Sequence, residues 1–347
     1  MDKLKDNFWF SKKILITGHT GYVGTWLNYF LSKNHADIYG VSLKKNPSKI
    51  FRLLSFNKKK SFFFNIVNYS QLEKLAKKIK PEIIIHLAAQ PLVLDSYIKP
   101  IETYESNVIG TLNILRVVRK FNFIKTAVFF TTDKVYENND KKKIFSETDS
   151  LNGDDPYSGS KAASEIIINS FTKSFLQNKN IIVLRAGNII GGGDYKKTRL
   201  VPDIILASLN QRKVRIRNKN AIRPWQHIMD VIFLIKSIIE KVHKNNNFYD
   251  VFNIGPTCSK ITVKQILKII KKYFKVKEIF LKENIKEKNY IILNSKKIKK
   301  FFDLSNNLTE KEALSLTIAW YKKFHLNKLN VKKIFDDDFL FYNKKIK

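Results

Sequence analysis

The chain predicts an α/β fold: a doubly wound parallel sheet with a smaller mixed α/β lobe on its C-terminal side. Three observations predict it. Short β-branched runs alternate with helical patterns through the first half of the chain, the signature of parallel strands joined by crossover helices. The first run feeds the turn Gly18-His19-Thr20-Gly21-Tyr22-Val23-Gly24. The residues best equipped for chemistry stand just after later runs, and such sheets bind ligands beyond the carboxyl ends of their strands.

Lys12–Thr17 is the first strand, and an amphipathic stretch to about Lys33 follows the glycine turn. Strand, turn and helix together open a dinucleotide-binding βαβ unit. The glycines let the backbone approach a pyrophosphate, and the helix N-terminus stabilises its charge. Further strands are expected at Asp37–Ser42, Ser61–Ile66, Glu82–Leu87, Thr126–Thr131 and Asn180–Arg185. Helices are expected at Ser70–Ile79, Pro100–Lys120 and Pro156–Leu176. From Gly187 the alternation weakens. Arg199–Leu209 and Val263–Phe274 read as helices, Lys213–Arg217 and Tyr290–Asn294 as short strands, and Lys311–Phe324 as a last helix. The pattern divides the chain into a dinucleotide-binding unit (1–186 with about 226–255) and a substrate lobe (187–225 with 256–335). Residues 336–347 read as a tail.

Composition narrows the class. The 347 residues are 44% hydrophobic and 27% charged, a globular balance with no case for disorder. No apolar stretch approaches the roughly 20 residues that span a bilayer, and Met1–Asp6 lacks a signal-peptide core. A single cysteine, Cys258, excludes an internal disulfide framework. The chain reads as cytoplasmic. Its net charge of +34 comes from Lys spread along the sequence, a compositional bias without the single stripe that nucleic-acid binding calls for. Arginine says more. Only nine of the 64 basic residues are Arg, and four of them (Arg212, Arg215, Arg217, Arg223) fall together. A guanidinium fork grips phosphate in a way a Lys point charge does not, so this cluster reads as a diphosphate clamp.

Thr131-Thr132-Asp133-Lys134 and Tyr157-Ser158-Gly159-Ser160-Lys161 carry the chemistry. A Tyr with a neighbouring ammonium suits hydride chemistry at a sugar carbinol, because the cation lowers the phenol pKa. The adjacent acid and amine suit removal of water. Asn107 is either a buried cap or a water-holding relay. His86 reads as a satisfied core histidine, and His19, His227 and Cys258 have no metal-ligand spacing.

The motifs resemble the extended short-chain dehydrogenase/reductases with their Rossmann-type domain. They are Thr17–Gly24, His86-Leu87-Ala88-Ala89-Gln90-Pro91-Leu92-Val93, Asn107–Thr111 and Tyr157–Lys161. Thr131–Asn138, Asp155–Ser158, Arg185–Asp194 and Arg223-Pro224-Trp225-Gln226-His227 narrow the resemblance to the nucleotide-sugar 4,6-dehydratases, and within them to the CDP-glucose branch. It runs from about Phe8 to Tyr321. It implies NAD as cofactor, held by Gly18, Thr20, Gly21, Tyr22, Val23, Gly24, Ser42, Asn65, Ile66, Leu87, Ala88, Ala89, Gln90, Asn107, Thr131, Tyr157, Lys161 and Ala186. It implies a CDP-glucose substrate held by Gln90, Thr132, Asn188, Arg199, Leu200, Arg215, Arg217, Arg223 and His227. It also implies roles: Tyr157 as the base at O4, Lys161 tuning it, Thr132 on the same oxygen, Lys134 as the base at C5 and Asp133 as the acid at C6. A homodimer or homotetramer is expected. Several positions depart from the family pattern: Asn65 for Asp, Leu94-Asp95 for Arg residues, Lys286-Glu287 for a His-Glu pair, and Ser42-Leu43-Lys44-Lys45 with no acid to select NAD over NADP. Another nucleotide-sugar dehydratase, a 4-epimerase and a non-catalytic polyanion binder remain the alternatives.

Overall fold

The computed structural model describes residues 7–45, 47–281 and 288–346. Its central sheet has seven strands: β1 (Lys13–Thr17), β2 (Asp37–Ser42), β3 (Ser61–Phe63), β4 (Ile83–His86), β5 (Thr126–Thr132), β6 (Asn180–Ala186) and β7 (Phe248–Ile254). All pair in parallel, in the order β7-β6-β5-β4-β1-β2-β3. The chain winds outward from β1 to β3, then returns to lay β4 along the other side of β1, with Thr17 opposite His86. Connections leave the tops of β1 and β4 in opposite directions, which opens a crevice there.

Alternation along each strand builds two cores. Ile14, Ile16, Ile83, Ile85, Val128, Ile182 and Leu184 face one side of the sheet. There they meet helices α1 (Tyr22–Lys33) and, later in the chain, Ile228–Val242. Leu15, Ile84, Ala127, Phe129, Ile181 and Val183 face the other side. They pack on α2 (Tyr69–Ile79), α3 (Gly110–Lys120) and α4 (Pro156–Phe175). Strands buried on both faces explain the continuous apolar runs of the sequence.

Beyond β6, α5 (Leu200–Leu209) is followed by the strand Lys213–Ile216, which pairs with Lys277–Phe280. Trp225–His227 pairs with Asn188–Ile190, and Ile292–Leu293 pairs with Ile144–Phe145.

Two expectations need correction. The stretch Pro100–Lys120 is not one regular helix. Pro100–Tyr104 and α3 are separated by a π-helical turn at Glu105–Ile109. The Asn107 carbonyl there accepts from both Thr111 Oγ1 (2.6 Å) and Ser164 Oγ (2.8 Å). Two hydroxyl donors stabilise a carbonyl that a widened turn leaves available. The expected tail from Asp336 is the later part of a helix, Val331–Lys345. Its Phe335, Phe339 and Tyr342 are buried, Phe335 stacks on Trp26 of α1 at 3.7 Å between centroids, and Asp336 accepts from Tyr29 at 2.6 Å. Each such aromatic contributes at most roughly 1.5–3 kcal/mol of burial. The acidic run Asp336-Asp337-Asp338 masks that apolar stripe in the sequence. Lys286 and Glu287 lie outside the described residues.

Candidate active site

A cleft of about 850 Å³ runs over the carboxyl ends of β1, β2, β4, β5 and β6. One end is built from backbone. Gly18 has φ +75, and a Cβ there would meet the Ala88 backbone nitrogen at 2.8 Å. A Cβ at Gly24 would be tighter still, 2.3 Å from the Gly18 carbonyl oxygen. Gly21 caps α1 without any side-chain hydrogen bond, so the helix start beside the cleft keeps its positive end uncapped. Glycines that bring two backbones together beside an uncapped helix start fit a dinucleotide pyrophosphate. Ser42, Leu43, Lys45, Asn65 and Ile66 continue this wall. Ser42 Oγ accepts from Thr20 N at 3.2 Å and lies 3.0 Å from His19 Nδ1, which ties the glycine turn to the end of β2.

The middle of the cleft holds the chemistry. Asp155 caps α4 through Ser158 N at 2.9 Å with Pro156 in the first turn, a strong helix start. Tyr157 and Lys161 are then one turn apart on the same face. Lys161 Nζ donates to the Phe130 carbonyl at 2.8 Å, and burial lowers its pKa to about 8. Tyr157 shares a hydrogen bond with Thr132, yet burial pushes its pKa up to about 12. The expected fall towards neutrality is outweighed by desolvation, with Thr132 and the Arg199 charge acting against it. Thr132 Oγ1 also donates to Asp133 Oδ1 at 3.1 Å. Asp133 is buried, and desolvation raises its pKa against the nearby Lys134. Its Oδ2 has no hydrogen-bond partner among the described residues. A buried carboxyl whose neutral form is favoured by desolvation, beside an amine, has the chemistry of a proton donor.

The far end is lined by Asn188, Arg199, Leu200, Arg215, Arg217 and Arg223. Arg199 pairs with Asp194 at 2.7 Å. Arg223 lines this end as well, and its Nη atoms donate to the backbone carbonyls of Ile222 (2.8 Å), Asn289 (3.3 Å) and Lys288 (2.6 Å). It braces the wall, and its charge reaches Asp133. Arg212 is absent from the lining.

Three expected site residues do not reach the cleft wall. Gln90 is spent on its own loop, with Nε2 donating to Leu92 O and Thr103 Oγ1 and Oε1 accepting from Leu92 N. Asn107 is a buried brace: Oδ1 accepts from Gln90 N at 2.8 Å, and Nδ2 donates to Gln90 O and Ser160 Oγ. His227 is buried and caps the helix Ile228–Val242, accepting from Met229 N. The remaining expected residues line the cleft: Gly18, Thr20, Gly21, Tyr22, Val23, Gly24, Ser42, Asn65, Ile66, Leu87, Ala88, Ala89, Thr131, Thr132, Asp133, Lys134, Tyr157, Lys161, Ala186, Asn188, Arg199, Leu200, Arg215, Arg217 and Arg223. His86 is a satisfied core histidine, 2.7 Å from Thr17 Oγ1 and 3.1 Å from Thr111 Oγ1, with its pKa lowered to about 3 by burial and Lys161. The sequence reading missed Lys45, Ser106, Thr198 and Asp203 in the lining. Asp203 alone had a signal, an acid in the first turn of the helix that Arg199 opens. Of the two residues departing from the pattern after Pro91-Leu92-Val93, Leu94 lines the cleft and Asp95 does not.

Among the described residues no group of three or more His, Cys, Asp or Glu is placed to hold a metal, and no helix is long and apolar enough to cross a membrane.

Residues 14–255 match the NAD dependent epimerase/dehydratase family. The chain is 37% identical to the CDP-glucose 4,6-dehydratase of Salmonella typhimurium over 260 residues, 72% of each protein. It is 33% identical to the dTDP-D-glucose 4,6-dehydratase of Dictyostelium discoideum over 71% of this chain and 58% of that one. Among solved structures it is similar to the dTDP-glucose 4,6-dehydratase of Bacillus anthracis in complex with NAD, at 25% identity and a TM-score of 0.76, covering 90% of this chain and 97% of the other.

Proposed function

Because the chain belongs to the NAD dependent epimerase/dehydratase family, we propose that it dehydrates CDP-D-glucose to CDP-4-dehydro-6-deoxy-D-glucose. The observation that carries this reading is the buried, neutral-leaning Asp133 beside Lys134, in the same cleft as Thr132, Tyr157 and Lys161. A 4-epimerase has no water to expel and no use for such an acid–amine pair.

The residues around the glycine turn would hold NAD, which when bound supplies a hydride acceptor at C4 and the hydride that returns to C6. Tyr157 takes the C4 hydroxyl proton, with Thr132 bonded to the same oxygen. Lys161 keeps a cation beneath the Tyr157 face of α4. Once C4 is a ketone, C5–H is acidic enough for Lys134 to remove as a general base. Asp133 protonates the departing C6 hydroxyl, and water leaves. Arg199, Arg215 and Arg217 grip the diphosphate, with Asn188 and Leu200 beside it. We assign residues 1–186 with about 226–255 to the cofactor side and 187–225 with 256–335 to the substrate side.

The CDP-glucose assignment draws on the 37% identity with the Salmonella dehydratase. The reading extends to a cytoplasmic homodimer or homotetramer. Ile98, Ile101 and Ile166 are 77%, 71% and 59% exposed on neighbouring helices, an apolar surface of the kind that subunit contacts cover.

The test is direct. Purified protein is incubated with NAD and CDP-, dTDP-, GDP- and UDP-glucose, and product masses are read. Loss of one water from CDP-glucose with no net NADH is the expected result. Conversion to an isomer of unchanged mass would make the chain an epimerase, and stoichiometric NADH a simple dehydrogenase.

A further inference from the structure

Asp194 ends the turn Gly191-Gly192-Gly193 and is 3% exposed. Its Oδ2 accepts from Arg199 Nη1 at 2.7 Å, and its Oδ1 accepts from Lys196 N at 3.0 Å. The turn itself is clamped from two directions. Trp26 of α1 donates to the Gly192 carbonyl at 3.1 Å, and the Trp320 ring lies where a Gly192 Cβ would be. Tyr321 donates its hydroxyl to the Asp194 carbonyl. Trp320 and Tyr321 both come from the helix Glu310–His325.

Arg199 lies in the wall of the cleft, and its charge is felt by Tyr157 and by Tyr22 of the glycine turn. Thr198 beside it has φ +73, a backbone state a β-branched residue rarely adopts. Its amide donates to Asp203 Oδ2 at 2.8 Å. The loop is therefore held by side chains at both ends, with Arg199 at its exit.

A carboxylate near a diphosphate site opposes the ligand by charge, so its place there must be justified by geometry. An Arg fork has five donors, and Asp194 engages it through Nη1. We propose that Asp194 is a positioning residue: it holds one arm of Arg199 so that the remaining donors stay turned towards a nucleoside diphosphate in the cleft. Tyr321 on the Asp194 backbone carbonyl, and Trp320 and Trp26 on Gly192, fix the turn that carries this carboxylate, so the clamp depends on the helix Glu310–His325, far along the chain. The proposal rests on the reading that Arg199 belongs to the diphosphate clamp.

The experiment uses the full chain with NAD and compares Asp194→Ala, Arg199→Met, the double variant and Tyr321→Phe. Steady-state kinetics on CDP-glucose are read beside calorimetric titration with CDP. Asp194→Ala should raise KM and the CDP Kd roughly 5- to 30-fold, with kcat changed less than about threefold, since a lost charge-assisted contact acts in ground and transition states alike. The double variant should be no worse than Arg199→Met, because Asp194 acts through Arg199. Tyr321→Phe should shift KM the same way by about two- to fivefold. Additive losses in the double variant, or an unchanged KM in Asp194→Ala while Arg199→Met raises it, would overturn the proposal. Should Asp194→Ala fold poorly, an unchanged KM in both Asp194→Asn and Tyr321→Phe overturns it equally. If Arg199→Met leaves KM and the CDP Kd untouched, the clamp reading itself fails, and that outcome is distinct from the others.

Discussion

The two ends of the cleft are built from different materials. At the end assigned to the cofactor the wall is backbone: Gly18 folded against Ala88, Gly24 against Gly18, and an α1 start with no side-chain cap. At the end assigned to the substrate it is side chain, with Arg199, Arg215 and Arg217 projecting from α5, a two-stranded sheet and the loop beyond it. A backbone site has almost nothing to lose but its glycines. A side-chain site depends on what holds each side chain, as Asp194 holds Arg199. The reacting residues lie between the two ends and belong to neither scheme.

The largest expected effects test that middle ground. Lys134→Met should lower dehydration by roughly 10²–10⁴, the usual worth of a general base, while oxidation at C4 survives as enzyme-bound NADH in a single turnover. Near-normal dehydration would reduce Lys134 to a structural cation. Tyr157→Phe should suppress both steps, because without the ketone C5–H is not acidic.

Next comes the backbone end. Gly18→Ala forces a Cβ into Ala88 at φ +75, and strain of about 1–3 kcal/mol should weaken NAD binding roughly 10- to 100-fold with little change in nucleotide-sugar affinity. Unchanged NAD affinity would show that the glycine end is not the cofactor cradle. The matching change at the side-chain end is Arg215→Met. Loss of a charge-assisted contact of roughly 1.5–3 kcal/mol should raise KM about tenfold or more and leave NAD binding intact. If both variants disturbed both ligands, the contrast between the ends would not hold.

The smallest effect concerns stability. Asp338 on the C-terminal helix is buried, and desolvation raises its pKa to about 7 against Lys323. The native state then holds a proton that the unfolded chain, with a carboxyl near 4, has lost. This group therefore costs nothing below pH 4, and stability falls as pH rises from about 4 to 7. Asp338→Asn should stabilise the protein by about 1–3 kcal/mol at pH 8 and by nothing at pH 4, measured as Tm. An equal gain at both pH values would mean that packing, and not the proton, is responsible.

The contrast between the ends also governs what the sequence reveals. The backbone end was legible because glycines at fixed spacing after a β-branched run specify a tight strand-to-helix turn. Thr132, Asp133, Lys134, Tyr157 and Lys161 were legible as strand-end and helix-start residues. Arg223 was legible only in part: an Arg in a cluster looks like an anion clamp, and only the fold shows that its Nη atoms also brace the carbonyls of Ile222, Lys288 and Asn289. Gln90 and Asn107 were hidden for a related reason, since a polar residue in a motif does not announce that its hydrogen bonds go to other groups of the fold, Asn107 to Gln90 and Ser160, and Gln90 to Leu92 and Thr103. The C-terminal helix was hidden because its acidic run, read linearly, outweighs Phe335, Phe339 and Tyr342, which share one helical face. Tertiary partners decided each of these cases.

The reaction itself is tested most directly with CDP-glucose carrying deuterium at C4, in ordinary water with NAD. The expected product is lighter by one water, with the deuterium found at C6 of the same molecule. Product of unchanged mass, or a dehydrated product that lacks deuterium at C6, would contradict internal return of the hydride.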